Sequence, residues 1–137
     1  NIIMNNPEVD IFEKYKKEIE LDIALDEINI KEVQMRLPAI KHKWVARLIQ
    51  AKSDLKKLQS IRRLAVERLR GQAAPPIQLP NKLKDEAATK QSAIVKIDKQ
   101  ISQLETIIEY LTKVEVITRS MTYDIRNLAD IIKLESS

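Results

Sequence analysis

Ten lysines and arginines lie between Pro38 and Gly71, against only two acids, Asp54 and Glu67, which leaves the segment at +8. They are Lys41, Lys43, Arg47, Lys52, Lys56, Lys57, Arg62, Arg63, Arg68 and Arg70. The formal +4 of the chain hides this polarity. Residues 1–37 hold five basic and nine acidic side chains, and residues 72–137 hold nine of each. A basic rod beside neutral or acidic elements calls for a polyanion, with nucleic acid the leading candidate. Lys52, Lys56, Arg63 and Arg70 follow at spacings of four, seven and seven, which sets them on one flank of a helix. Arg62 makes a doublet with Arg63, and Arg68 sits further round. Cations aligned in this way neutralise successive phosphates and release counterions, giving affinity without sequence readout. A charge run is more often a solvated helix surface. Here the scarcity of acids to pair with favours a functional one. The candidate nucleic-acid-binding residues are therefore Lys52, Lys56, Arg62, Arg63, Arg68 and Arg70.

Other chemistry has little to work with. One histidine, His42, cannot make a His-based metal site, and without cysteine no zinc site is expected. A single glycine rules out a Gly-rich phosphate loop. The carboxylate pairs Glu18/Asp22 and Asp26/Glu27 belong to an ordinary acidic face, and no Ser/His/Asp set forms around His42 between Lys41 and Lys43. No enzyme, cofactor or metal is expected. The aromatic residues (Phe12, Tyr15, Trp44, Tyr110, Tyr123) do not interleave with the basic cluster as stacking platforms do. Trp44 lies on an apolar seam and is expected as a core anchor.

The elements that must carry these residues are helical. The chain of 137 residues, 32% charged and 4% aromatic, suits one domain with an aliphatic core. Asn6-Pro7 opens a helix over about residues 7–20, with Ile11, Tyr15 and Ile19 at i+4 and Phe12 alongside. Residues 21–37 read as a turn and a short helix near Asp26–Met35. Pro38 is expected to start the long basic helix, whose seam runs Trp44, Leu48, Ala51, Leu55, Leu58, Arg62, Ala65 and Leu69. Gly71 is placed to end it in the left-handed conformation. Pro75, Pro76 and Pro80 mark a loop over 72–81. A second long helical region follows over 82–134. Its seam is Ile94, Ile97, Ile101, Leu104, Ile108, Leu111, Val114, then Ile117, Met121, Ile125, Leu128 and Ile132, with a phase shift near Glu115.

The expected fold is thus all-α: a long antiparallel hairpin preceded by shorter N-terminal helices. Its apolar stripe exceeds what two helices bury, which favours a homo-oligomer over fold-back of the first helix. Ile108, Leu111, Ile117, Met121, Ile125, Leu128 and Ile132 are the candidate oligomerisation residues. No apolar run is long enough for a membrane span, no secretory signal is visible, and the lack of cysteine suits a reducing compartment. Met4 is the expected native start.

The residue order resembles the UvsY-type recombination mediators of T-even-like bacteriophages. The likeness rests on Leu25-Asp26-Glu27-Ile28-Asn29-Ile30-Lys31-Glu32, Leu37-Pro38-Ala39-Ile40 and Lys43-Trp44, then Arg68-Leu69-Arg70-Gly71. It continues through Tyr110-Leu111, Val114-Glu115 and Tyr123-Asp124-Ile125-Arg126-Asn127, and spans about residues 10–134. The resemblance implies a non-enzymatic, ring-like homo-oligomer that binds single-stranded DNA. It also implies help to a RecA-like recombinase loading onto DNA coated by single-strand-binding protein, in the host bacterial cytoplasm. The family's basic residues before the glycine fall near Arg62, Arg63, Arg68 and Arg70, while the tyrosine pair usual there is missing. The rival expectations are a coiled-coil adaptor whose basic helix docks an acidic protein, and an RNA-binding hairpin.

Overall fold

The structure, a computed structural model, describes residues 7–72 and 81–137, with the side chains of 10–71 and 88–137. Among the described residues there are three helices and no strand. Helix α1 (Pro7–Asp22) opens on a proline, whose missing N–H costs nothing at a first helical position. A turn over 23–29 leads into α2 (Ile30–Gln72), and α3 covers Asn81–Glu135. At 1.5 Å per residue α2 is about 65 Å long and α3 about 80 Å.

The turn shows why α2 begins where it does. Asp26 Oδ1 accepts the backbone N–H groups of Ile28 at 2.7 Å and Asn29 at 2.8 Å. Asn29 Oδ1 accepts the N–H of Asp26 at 2.8 Å, and its Nδ2 donates to the Ala24 carbonyl at 2.9 Å. Asn29 also accepts the first helical bond, from the Val33 N–H at 2.9 Å. These side-chain bonds cap a helix at residue 30. The expectation that Pro38 starts the basic helix is corrected: the short helix near Asp26–Met35 and the basic helix are one element, with Pro38 inside it. Pro38 is exposed, so the carbonyl it leaves unbonded four residues earlier faces water. Gly71 is corrected too, since α2 runs through it to Gln72 and no glycine has positive φ. The prolines at 75, 76 and 80 lie outside the described residues.

The core is a hairpin of α2 and α3 braced at one end by α1. Ile19, Ile40, Trp44, Leu48, Ala51, Ile107, Leu111 and Val114 form one buried cluster, with Phe12, Tyr15, Leu104, Ile108 and Tyr110 packed around it. Phe12 meets Tyr110 edge-on at 4.9 Å, and Tyr15 meets Trp44 at 5.6 Å. Val33, Leu37, Met121 and Ile125 form a second cluster under the turn. Trp44 is fully buried, as its place on the seam predicts.

The phase shift expected near Glu115 does not occur there. Ile117 is 42% exposed, and Thr118 takes the buried position at 1%. Leu111, Val114, Thr118, Met121 and Ile125 then continue in steps of three and four without a break. Thr118 Oγ1 donates to the Glu115 carbonyl at 3.1 Å, so its burial leaves no unmet hydroxyl. The irregular step falls earlier, where Ile107, not Ile108, is buried after Leu104. From 52 to 71 and from 88 to 106 no described side chain is buried, because no third helix covers this stretch.

Candidate nucleic-acid interface

Helix α2 carries cations along its whole length, and the fold divides them. Nearest α1, Lys43 and Arg47 stand one turn apart opposite Asp22 and Glu18, also one turn apart. Lys43 Nζ lies 2.6 Å from Asp22 Oδ2 and 3.5 Å from Glu18 Oε2. Arg47 donates to Glu18 Oε2 at 2.7 Å. Its guanidinium also stacks 4.6 Å from the Tyr15 ring centre and 4.9 Å from that of Trp44. The Arg47 hydrogen bond, helped by the charges of Arg47, Lys43 and Lys14, holds the Glu18 carboxyl below the usual carboxylate range against the opposing effect of burial. Lys41 donates to Thr122 Oγ1 at 2.9 Å. These three cations secure the fold. The matched four-residue spacing of Glu18/Asp22 and Lys43/Arg47 is the signal in sequence that points to the pairing.

Further along, the partners run out. Lys52, Lys56, Arg63 and Arg70 are exposed on one side of α2, and none forms a hydrogen bond or ion pair among the described residues. Gln59 and Val66 complete the row, so that it steps by four and three from 52 to 70. It runs about 27 Å at the helical rise, with a cation every 6 to 10 Å or so. Lys57 and Arg68 are also exposed and unpaired, further round the helix. Gln59, Arg62, Arg63, Val66, Glu67 and Arg70 line an open concavity along this stretch.

Arg62 departs from the expectation of a free cation. It occupies the seam between the helices, where Asp98 of α3 receives both Nε and Nη2. A guanidinium at a seam position is accommodated because the unbraced stretch leaves it 43% exposed beside a carboxylate. Of the six candidate residues, five therefore remain available and Arg62 is engaged within the chain.

The candidate oligomerisation residues divide as well. Leu111, Met121 and Ile125 are buried inside the protomer, which corrects their expected place on a subunit surface. Ile108, Leu128 and Ile132 are half-buried, and Ile117 is exposed. Three helices use more of the stripe than two would, because α1 covers Ile107 and Leu111. Val116, Tyr123, Ile131 and Leu134 stay exposed.

These features define an all-α scaffold, a long helical hairpin braced by a short N-terminal helix. No protein-family model matches the chain, and no curated protein matches it. Its fold is similar to the crystal structure of the bacteriophage T4 recombination mediator protein UvsY (lattice type IV), with a TM-score of 0.78. The two are 12% identical, and the match covers 90% of this chain and 98% of that one. At that identity the likeness is one of fold. No helix among the described residues is long and apolar enough to cross a membrane.

Proposed function

We propose that this protein is a non-enzymatic recombination mediator that holds single-stranded DNA on the exposed cations of α2. The observation that carries the reading is the row of exposed, unpaired cations Lys52, Lys56, Arg63 and Arg70 on one side of α2, with Lys57 and Arg68 beside it, whereas Lys43 and Arg47 nearer α1 are held by carboxylates. Phosphates lie against Arg63 and Arg70, with Arg68 beside them, and in a single copy Lys52 and Lys56 extend the row. The fold it shares with a phage recombination mediator supports the same reading. As in the resemblance, such a protein loads a RecA-like recombinase onto DNA coated by single-strand-binding protein, in the host bacterial cytoplasm. Assembly into a ring-like homo-oligomer repeats the row, so that several weak sites act on one strand and avidity rises without new contacts.

The test is a titration of labelled single-stranded DNA at several salt concentrations. Arg63→Ala/Arg70→Ala is expected to weaken binding equally across sequences. It should also flatten the log–log salt slope by about 0.7 for each lost contact. Unchanged affinity and slope would refute the surface. Binding to an acidic protein but to no nucleic acid at low salt would make the chain an adaptor instead.

A further inference from the structure

The proposed scaffold is a homo-oligomer, and two unpartnered helix faces specify how its copies meet. On α2, Met35, Pro38, His42, Val45 and Ile49 follow one another in alternating steps of three and four, all exposed. Met35 is 73% exposed, Val45 42% and Ile49 59%. Ala39 and Ala46 beside them are exposed too, and no charged side chain interrupts the strip. The next positions of the same row are Lys52 and Lys56, so one face of α2 passes from apolar to cationic. An exposed apolar strip of this length is characteristic of an interface.

Helix α3 carries the complement in reverse. Glu105, Glu109, Thr112, Val116, Ser120 and Tyr123 form an exposed row on the side away from the core. It passes from acidic to apolar along the chain, and Val116 and Tyr123 line a shallow recess with Arg119 and Ser120. Arg119 and Lys113 border the row, and Arg119 is already held by Glu115 at 2.8 Å. Laid antiparallel, the two rows keep step except at His42, which falls opposite the partner's Arg119, beside the partner's Ser120. With Val45 against Val116 of the partner subunit, Pro38 meets the partner's Tyr123, Lys52 meets the partner's Glu109, and Lys56 meets the partner's Glu105.

We infer that the outer face of α2 in one copy docks against the outer face of α3 in a second copy of this chain. Different surfaces meet, so the contact is head-to-tail and each copy offers both halves. The register also fixes the height of the neighbour. It differs by no more than about two residues, ~3 Å along the axis, from the register in which Arg62 meets Asp98 and Lys41 meets Thr122 within one chain. Neighbours therefore stand level, as a closed head-to-tail assembly requires. Resting on the oligomeric reading above, this also divides the cation row. Lys52 and Lys56 serve the joint, while Arg63, Arg68 and Arg70 remain open to phosphates.

The experiment is the solution mass of the full chain by light scattering at micromolar concentration. Wild type is expected well above the 15.8 kDa of one chain. Lys52→Glu/Lys56→Glu and Glu105→Lys/Glu109→Lys should each fall to the monomer mass, and an equimolar mixture of the two should regain the assembly. Val45→Asp, at an exposed position outside the core, should also dissociate it and serves if a charge-reversed variant loses helicity by circular dichroism. A monomeric wild type, or unchanged mass in these variants, would overturn the inference. So would helical variants that fail to recover on mixing. Arg63→Ala/Arg70→Ala keeps the wild-type mass here, so loss of strand binding in an intact assembly bears on the phosphate site alone.

Discussion

Asp22 Oδ2 accepts the indole N–H of Trp44 at 2.8 Å and lies 2.6 Å from Lys43 Nζ. One carboxylate at the end of α1 thus satisfies the one polar atom of the largest buried side chain and pairs the cation next to it. This couples the apolar core to the electrostatic clasp of α1 on α2, since neither contact survives a shift of α1 by a turn.

Removing the ring and removing its bond should differ in size. Trp44→Ala is expected to cost about 3–5 kcal/mol, the range for large aromatic deletions from a core. Trp44→Phe keeps most of the packing and loses a hydrogen bond to a charged acceptor, so about 1.5–3 kcal/mol is expected. Urea unfolding of the two variants beside wild type measures both. A Trp44→Phe variant as stable as wild type would show that the indole N–H contributes nothing.

Acid should loosen the same clasp. The carboxyl of Glu18 is held below 4.5 chiefly by its hydrogen bond from Arg47. A depressed folded-state pKa gives stability that is full above the unfolded value and is lost as pH falls through the folded one. Wild type should therefore melt above Glu18→Gln at pH 7, and the gap should close as the pH drops below 4.5. A gap that persists at pH 2 would assign the effect to packing.

Thr118 is a polar side chain in an otherwise apolar seam, bonded only to its own helix. Thr118→Val leaves the Glu115 carbonyl its capacity for backbone bonding and puts a methyl against Leu111-side neighbours of the core. Melting of Thr118→Val is expected at or above the wild-type temperature, with a gain of up to about 1 kcal/mol. A loss above that would show that the hydroxyl does more than satisfy itself.

Pro38 interrupts the hydrogen-bond ladder on the exposed side of α2. Pro38→Ala restores one backbone donor and raises helix propensity, partly offset by the looser unfolded chain. A net stabilisation of about 1–2 kcal/mol is expected. Chemical denaturation of both proteins decides it, and a destabilised Pro38→Ala would mean that α2 is shaped by the proline.

Asp98 holds Arg62 within the hairpin, apart from the proposed phosphate-binding row. Asp98→Asn should release the guanidinium and remove a repulsive charge beside the concavity, so binding to single-stranded DNA should tighten. The salt slope should steepen by about 0.7 for one added phosphate contact. The same titration that tests Arg63 and Arg70 reads this out. Weaker binding in Asp98→Asn would make the pair a support for the hairpin.

What the sequence discloses, and what it withholds, follows from the range of each interaction. The amphipathic repeat of α3, its start near Asn81 and the burial of Trp44 are legible because local periodicity and local propensity govern them. The start of α2 is obscured because Pro38 is the stronger punctuation, whereas the Asp26–Asn29 bonds that set the end are side-chain geometry. Thr118 is missed when only apolar residues are counted toward a seam. The partners of Arg47 and Arg62 lie 29 and 36 residues away in the chain, and charge density alone cannot say which cations a distant helix will claim. The five exposed cations of the candidate site are legible for the complementary reason: nothing distant reaches them.

The absence of a buried side chain between 52 and 71 has a thermodynamic consequence. Backbone amides there rely on one helix-to-helix contact, so they should exchange with deuterium far sooner than those around Trp44 and Leu111. The arginines proposed to grip a strand thus stand on a stretch expected to open sooner than the core around Trp44. A captured polyanion would then stiffen its own platform, and slowed exchange at that tip would report occupancy without any label.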